Sequence, residues 1–134
     1  TSGEWIAGMR ADKDSTAVVD MVDAAFAQAG AMEMPLDRTN TTISAIVTNA
    51  TLTKAQATKL SQMAADAYAH AIRPTHTTND GDTIYTLASG KLSAQASAAF
   101  PLDLLGMLAV RALETANGCR AATTLHGIPG AASL

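Results

Sequence analysis

A nearly continuous run of apolar and β-branched residues at positions 41–49 constrains the fold of this chain more than any other feature. β-branched side chains favour extended backbone, and a run without a polar face is typical of a strand covered on both sides. The segment Thr53-Lys54-Ala55-Gln56 that follows is a capping box, in which the Thr hydroxyl and the Gln side chain bind N–H groups at a helix start. The sequence therefore predicts a buried strand followed directly by a helix.

Strands and helices alternate along the rest of the chain, and their order predicts a layered α/β fold. Pro74 ends the capped helix after Arg73, and Pro101 and Asn117-Gly118 bound a last helix. The other predicted elements are a short strand within residues 1–8, a helix from Ser15 to Gln28, a second strand at 82–89, loop or helix at 91–99 and an irregular tail at 123–134. The buried faces of the two long helices are predicted to carry Leu60, Met63, Ala64, Ala67 and Ala71, and Leu102, Leu105, Leu108, Ala109, Ala112 and Leu113.

Composition and charge exclude several classes of protein. A chain of 134 residues, 48% apolar but only 4% aromatic, is typical of one compact domain with a core of small side chains. The net charge of −3 disfavours nucleic acid and anionic membranes as partners, and no apolar run is long enough to span a membrane. The single cysteine, Cys119, and the lack of a signal-peptide pattern predict a reducing, cytoplasmic location. The first residue is Thr rather than Met, which indicates a fragment or a processed piece.

Thr41 stands where a polar segment meets the apolar run, and it has two interpretations. In the first, it is simply the opening residue of the strand. In the second, Thr41 cuts the Asn40–Thr41 bond and becomes an amino-terminal residue. Such a threonine carries a nucleophilic hydroxyl together with its own base, an α-amine whose pKa lies near ~8.

The second chemical signal is a pair of carboxylates, Asp80 and Asp82, on either side of Gly81. Its default interpretation is an Asx turn that leads into the second strand, and a partial calcium loop is weaker because the other ligands of that loop are missing. In the functional interpretation, the pair orients the amine or hydroxyl of Thr41 and holds a cationic amine of the substrate. Neighbouring carboxylates also favour a raised pKa on one of them. His76 is close enough in sequence to be a candidate substrate-binding group, whereas surface or packing roles are predicted for His70 and His126.

Five segments occur in a fixed order along the chain: NTTI at 40–43, LTKAQAT at 52–58, AIRP at 71–74, HT at 76–77 and DGDT at 80–83. This ordered set resembles the C-terminal part of the DmpA-type family of self-cleaving aminopeptidases. That family includes the β-peptidyl aminopeptidases and the 6-aminohexanoate-oligomer (nylon-oligomer) hydrolases. The resemblance covers residues 41–118, and residues 3–8 more loosely.

The resemblance implies a precursor that cuts itself into a larger α chain and a smaller β chain. Residues 1–40 would be the end of the α portion with a linker, and residues 41–134 the β portion, together forming part of one domain. The implied fold is an αββα sandwich of the N-terminal-nucleophile type, of which only the C-terminal part lies in this chain. Thr41 is the implied nucleophile, and Asp80 and Asp82 the implied catalytic carboxylates. The oxyanion and amine-contacting groups would lie upstream of Thr1.

The implied substrate is a small linear amide or peptide. A Thr nucleophile preceded by Asn is more similar to the nylon-oligomer hydrolases, with aminopeptidase or β-peptidyl aminopeptidase activity as the alternatives. The implied assembly is a homo-oligomer of αβ units that includes the missing α-chain portion. Neither a cofactor nor a metal is predicted. The alternative to an enzyme is a catalytically inert scaffold or binding module of the same fold.

Overall fold

The computed structural model describes residues 8, 10–12, 14–27 and 41–117. The chain divides into two compact units, one formed by Thr1–Pro35 with Gly118–Leu134 and the other by Leu36–Asn117. Several predictions concern residues outside the described ranges, namely Asn40, Cys119, His126, the opening strand and the irregular tail. The division at residue 40 into α and β portions stays a prediction.

The first unit contains a short helix, α1 (Met21–Ala27). The Asp20 carboxylate accepts the N–H groups of Val22 and Asp23, at 2.8 and 3.4 Å, so Asp20 begins the helix. The prediction that Ser15 caps this helix is wrong. The Ser15 hydroxyl instead accepts an N–H two residues later, within a turn that an isolated antiparallel bridge closes.

The second unit is built on two parallel strands joined through helices. β1 (Ile43–Thr48) leads through α2 (Lys54–Ala64) and α3 (Asp66–Ala71) into β2 (Thr83–Ala88). The strands pair in parallel from Ile43 opposite Thr83 to Thr48 opposite Ala88. Parallel strands need a crossover connection, and the helices supply it on one face of the sheet. This arrangement confirms the predicted α/β class.

The capping box at Thr53 begins α2 as predicted, but the helix is shorter and broken. Ala65 separates α2 from α3, and there the Tyr68 N–H binds the Ala65 carbonyl three residues back, at 3.0 Å. α3 then ends at Ala71 instead of Arg73, because the backbone is already extended at Ile72 ahead of the Arg73-Pro74 pair.

The last part of the second unit is helical. α4 (Ala94–Ala98) is capped by the Ser93 hydroxyl, which accepts the Ala96 N–H at 3.2 Å, so this segment contains a short helix rather than loop alone. α5 (Leu102–Asn117) follows Pro101, as predicted, and has Asp103 in its first turn, near the positive end of the helix dipole.

The core lies between one face of the sheet and helices α2, α3 and α5. Its buried members are Leu60, Ala64, Ala67, Tyr68, Ala109 and Leu113. Gly106 lets α5 approach α2 closely, since a methyl group there would lie 2.1 Å from Met63 Cε. The predicted buried faces are wrong at Ala71, Leu108 and Ala112, which are exposed.

The other face of the sheet is exposed, which corrects the prediction that β1 is covered on both sides. Burial alternates along the strand, and the side chain of Val47 is 77% exposed. Ile43, Tyr85 and Leu87 are exposed on the two strands as well. None of the helices in the described ranges is long and apolar enough to cross a membrane.

Candidate active site

The structure brings Thr41 against the segment that carries the two carboxylates. Thr41 immediately precedes the residues that enter β1, and its side chain is exposed. The atoms of that side chain lie directly over Gly81, the residue between Asp80 and Asp82. Parallel pairing causes this contact, because β1 and β2 begin at the same edge of the sheet.

Asp82 is the most firmly held polar group at this edge, and its side chain is only 8% exposed. Its Oδ1 atom accepts the Thr42 N–H at 2.9 Å. Its Oδ2 atom accepts the Thr75 hydroxyl at 3.0 Å and the His76 N–H at 3.3 Å. The carboxylate therefore binds the backbone of the residue that follows Thr41, and it joins β1 to the loop before β2.

The hydrogen bonds also determine the charge state of Asp82. Burial alone would raise the pKa of its carboxyl group. The hydrogen bonds from Thr42, Thr75 and His76, with electrostatic attraction to the His76 ring, outweigh burial and hold this pKa below the ordinary value of 3.8. The raised pKa expected for one carboxylate of the pair is therefore not found at Asp82, which is suited to hold a fixed negative charge.

Asp80 shapes the turn before Gly81. Its Oδ2 atom accepts the Thr77 N–H at 2.7 Å, and its own N–H binds the Thr77 carbonyl at 3.1 Å. These bonds confirm a turn at this position. The side chain is only half-buried, so the carboxylate can meet a cationic group from solvent while it holds the turn.

His76 lies beside Asp82 in an uncommon backbone conformation. Its φ of 56° is in the left-handed region, which costs a non-glycine residue on the order of 1–3 kcal/mol. Two contacts to one carboxylate oxygen support it, since both its N–H and its Nδ1 atom approach Asp82 Oδ2, Nδ1 at 3.2 Å. The ring is 45% exposed, so it is open to solvent. His70 pairs with Glu114 on α5, a packing role of the kind predicted.

Tyr68 was not singled out from the sequence, although it supports the same edge of the sheet. It is fully buried, and its hydroxyl donates to Ser44 Oγ at 2.7 Å. The carbonyl oxygens of Thr42 and Thr83 each lie 3.4 Å from that hydroxyl. The available signal was a tyrosine on the apolar face of a predicted helix, because a buried phenol requires a hydrogen-bond partner.

Replacing Tyr68 with Phe is expected to lower the free energy of unfolding by about 1–3 kcal/mol, because the half-buried Ser44 hydroxyl loses its donor. Urea unfolding measures this loss. Ser44→Ala removes the other partner, so the double variant is expected to lose less than the sum of the single variants. Strictly additive losses would show that the two hydroxyls do not interact.

The part of the chain that the structure describes contains no group of three or more His, Cys, Asp or Glu side chains able to hold a metal ion. The polar groups near Thr41 bind one another and the backbone instead. The arrangement can present an exposed hydroxyl beside fixed negative charge, which is suited to acyl transfer by a side-chain nucleophile.

Comparison with known proteins gives the family of the chain, since residues 5–132 match peptidase family S58. The chain belongs to peptidase family S58. This is the DmpA-type family that the sequence motifs indicate. No solved structure matches the chain significantly.

Relatives of this S58 chain have names that agree with the family. An uncharacterized aminopeptidase of Mycobacterium leprae is 42% identical over 81 residues, which cover 60% of this chain and 22% of that protein. Uncharacterized aminopeptidases of Mycobacterium tuberculosis and Mycobacterium bovis are 35% identical over 101 residues, covering 74% of this chain and 28% of each relative. The chain therefore spans about a quarter of the length of these relatives.

Proposed function

We propose that the protein containing this S58 chain cuts its own Asn40–Thr41 bond and then hydrolyses linear amides with Thr41 as the nucleophile. One observation carries the proposal: an exposed threonine precedes a backbone that is held from both sides. The Thr42 N–H binds Asp82 at 2.9 Å, and the Thr42 carbonyl accepts the Thr83 N–H at 2.9 Å. A nucleophile on an immobile backbone needs little reordering before it attacks.

Self-cleavage begins at the Thr41 hydroxyl. Its oxygen attacks the carbonyl carbon of Asn40, the bond from that carbon to the Thr41 nitrogen breaks, and the proton passes to the departing nitrogen. The product is an ester between Asn40 and the Thr41 hydroxyl. Water then hydrolyses this ester, which leaves a carboxylate on Asn40 and both a hydroxyl and an α-amine on Thr41.

Turnover repeats the same chemistry on a substrate amide. The α-amine takes the proton from the Thr41 hydroxyl as its oxygen attacks the amide carbon, and it returns a proton to the leaving amine. Water hydrolyses the acyl-enzyme and regenerates the hydroxyl. An α-amine pKa of about 7.7–8.0 leaves a useful fraction unprotonated at neutral pH.

The two carboxylates have different roles in this proposal. Asp82 is a positioning residue, because its contacts go to the Thr42 backbone and to the loop before β2. Asp80 binds a cationic amine, either the α-amine of Thr41 or the amino end of the substrate. His76 contacts the substrate beside Asp82, with its ring partly open to solvent.

We further propose 6-aminohexanoate (nylon) oligomers as substrates, on the resemblance of the Asn40-Thr41 junction and the Asp pair to that branch of the family. Such an oligomer has a cationic amino end on a flexible chain, which suits a carboxylate beside an open nucleophile. The second candidate is an aminopeptidase activity, which the names of the relatives favour. A β-peptidyl aminopeptidase is a variant of that candidate.

The rest of the site is proposed to lie outside this chain, which spans about a quarter of its relatives' length. That portion would supply the oxyanion donors and the strands that complete an αββα sandwich of the N-terminal-nucleophile type. The exposed apolar face of β1 and β2 supports this arrangement, because a second sheet could cover it. Assembly into a homo-oligomer of αβ units and a cytoplasmic location belong to the same proposal.

Mass spectrometry of the full-length protein and a substrate panel test the proposal together. We expect two fragments, the second beginning at Thr41, and hydrolysis of a linear 6-aminohexanoate oligomer at a higher kcat/KM than an amino-acid amide or a β-peptide. A higher kcat/KM for the amino-acid amide would identify the aminopeptidase instead. One intact chain that hydrolyses none of the three compounds would favour an inert scaffold.

A further inference from the structure

The Thr41 side chain lies in the space that a side chain at position 81 would occupy. A methyl group on Gly81 would lie 2.8 Å from Thr41 Oγ1, 3.4 Å from its Cγ2 and 3.7 Å from its Cβ. The first separation is shorter than carbon and oxygen atoms tolerate without a hydrogen bond. The Thr41 hydroxyl therefore occupies space that any other residue at position 81 would fill.

The backbone of Gly81 does not itself require glycine. Among the described glycines, the left-handed φ occurs at Gly90, with a value of 65°, and not at Gly81. The φ of position 81 therefore gives no reason to exclude a side chain. The physical reason for glycine at this position is thus the neighbouring Thr41 side chain rather than the turn.

The backbone on both sides of Gly81 is held by hydrogen bonds. Asp80 is tied to Thr77 on one side of Gly81, and Asp82 is held on the other side by Thr42 and the loop before β2. A contact there can be relieved by rotation of the Thr41 side chain. Rotation about Cα–Cβ moves the hydroxyl, the methyl and the hydrogen of Thr41 together, so it turns the hydroxyl away from the place it occupies beside Gly81.

We propose that Gly81 is a positioning residue whose missing side chain sets the orientation of the Thr41 hydroxyl. The inference rests on the proposed function, since it assigns how the nucleophile of that reaction is aimed. It also predicts that the effect of a side chain at position 81 depends on whether residue 41 is threonine or serine. A serine at position 41 has no methyl group and rotates more readily, so it tolerates a side chain at position 81 better than threonine does.

The test is Gly81→Ala in the full-length protein, in the wild-type and Thr41→Ser backgrounds. We expect self-cleavage and kcat to fall about ten- to a hundred-fold in the wild-type background, with a smaller fall in the Thr41→Ser background. KM should change little, because the substitution leaves the Asp80 carboxylate, the proposed binding group for a cationic amine, in place. Equal losses in both backgrounds, or no loss in either, would overturn the proposal.

The midpoint of thermal unfolding tests the contact between position 81 and Thr41 without an activity assay. Gly81→Ala should lower the midpoint of thermal unfolding more in the wild-type protein than in Thr41→Ser, which also cuts itself and whose hydroxyl rotates out of the contact more readily. Equal shifts in the two backgrounds would overturn the proposal. The proposed function fails separately, namely if Thr41→Ala still cuts itself and turns over substrate.

Discussion

Replacing Thr41 with Ala is expected to abolish both self-cleavage and hydrolysis of amides by the full-length protein. The variant lacks the oxygen that forms the ester with Asn40, so the precursor stays intact and no amino-terminal nucleophile appears. Removing the nucleophile lowers kcat by about 10⁶-fold in a serine hydrolase that has been dissected in this way. Mass spectrometry of the purified protein and an amide-hydrolysis assay measure the two losses.

Two further variants distinguish loss of the hydroxyl from loss of structure. Thr41→Ser keeps an oxygen nucleophile and should still cut itself. Thr51→Ala removes an exposed threonine beyond the opposite end of β1, and it should cut itself and turn over substrate as the wild type does. Two fragments of normal mass from Thr41→Ala would contradict the proposed function.

Replacing Asp82 with Asn is expected to lower kcat/KM about ten- to a hundred-fold and to destabilise the protein. An amide has one acceptor oxygen, whereas Asp82 accepts the Thr42 N–H on one oxygen and the His76 N–H on the other. In either orientation of the amide, one backbone N–H therefore faces an NH₂ group. Hydrogen bonds to a charged partner contribute about 1.5–3 kcal/mol, which corresponds to the stated loss in rate. Steady-state kinetics on fully cleaved protein measures it.

The stability effect of Asp82→Asn should depend on pH in one direction. The folded-state pKa of Asp82 lies below its ordinary value of 3.8, so the ionised carboxylate stabilises the protein above that value. That contribution is lost as pH falls through the folded-state pKa. Urea unfolding should show a constant gap between wild type and variant above about pH 5, and a shrinking gap below pH 3.8. A gap that widens on acidification would contradict the assignment.

Asp80→Asn is the matched control for Asp82→Asn. Its amide oxygen can still accept the Thr77 N–H, so the turn should persist and the stability loss should be smaller. The lost charge should instead raise KM for substrates with a cationic amino end. Identical effects of the two substitutions on kcat, KM and stability would show that the carboxylates do not have separate roles.

Local signals in the sequence predicted most of the elements that surround the site. The capping box is confirmed, since Thr53 Oγ1 accepts the Gln56 N–H at 3.2 Å and Gln56 Oε1 accepts the Thr53 N–H at 2.8 Å. Such a motif is predictable because all of its partners lie within one helical turn. The predicted start of α1 at Ser15 was wrong because two residues, Ser15 and Asp20, could each cap a helix. Only Asp20 does so.

Contacts between distant segments were less predictable. The apolar run of β1 indicated a strand but not which face is exposed, because burial depends on the helices that pack against one side only. Tyr68 looked like one more residue of a helix face, and its role depends on reaching the strand residue Ser44. Ala65 did not indicate the break between α2 and α3, because alanine favours a continuous helix.

The sequence by itself determined the order of strands and helices, the family, and the candidate chemistry of Thr41 with its two aspartates. Local hydrogen bonding, side-chain periodicity and an ordered set of motifs are properties of the chain alone. Only the tertiary structure decided that Asp82 binds the Thr42 backbone, 40 residues away in sequence, and that Gly81 lies against the Thr41 hydroxyl. The parallel register of β1 and β2 creates both contacts, and that register depends on how the intervening helices pack.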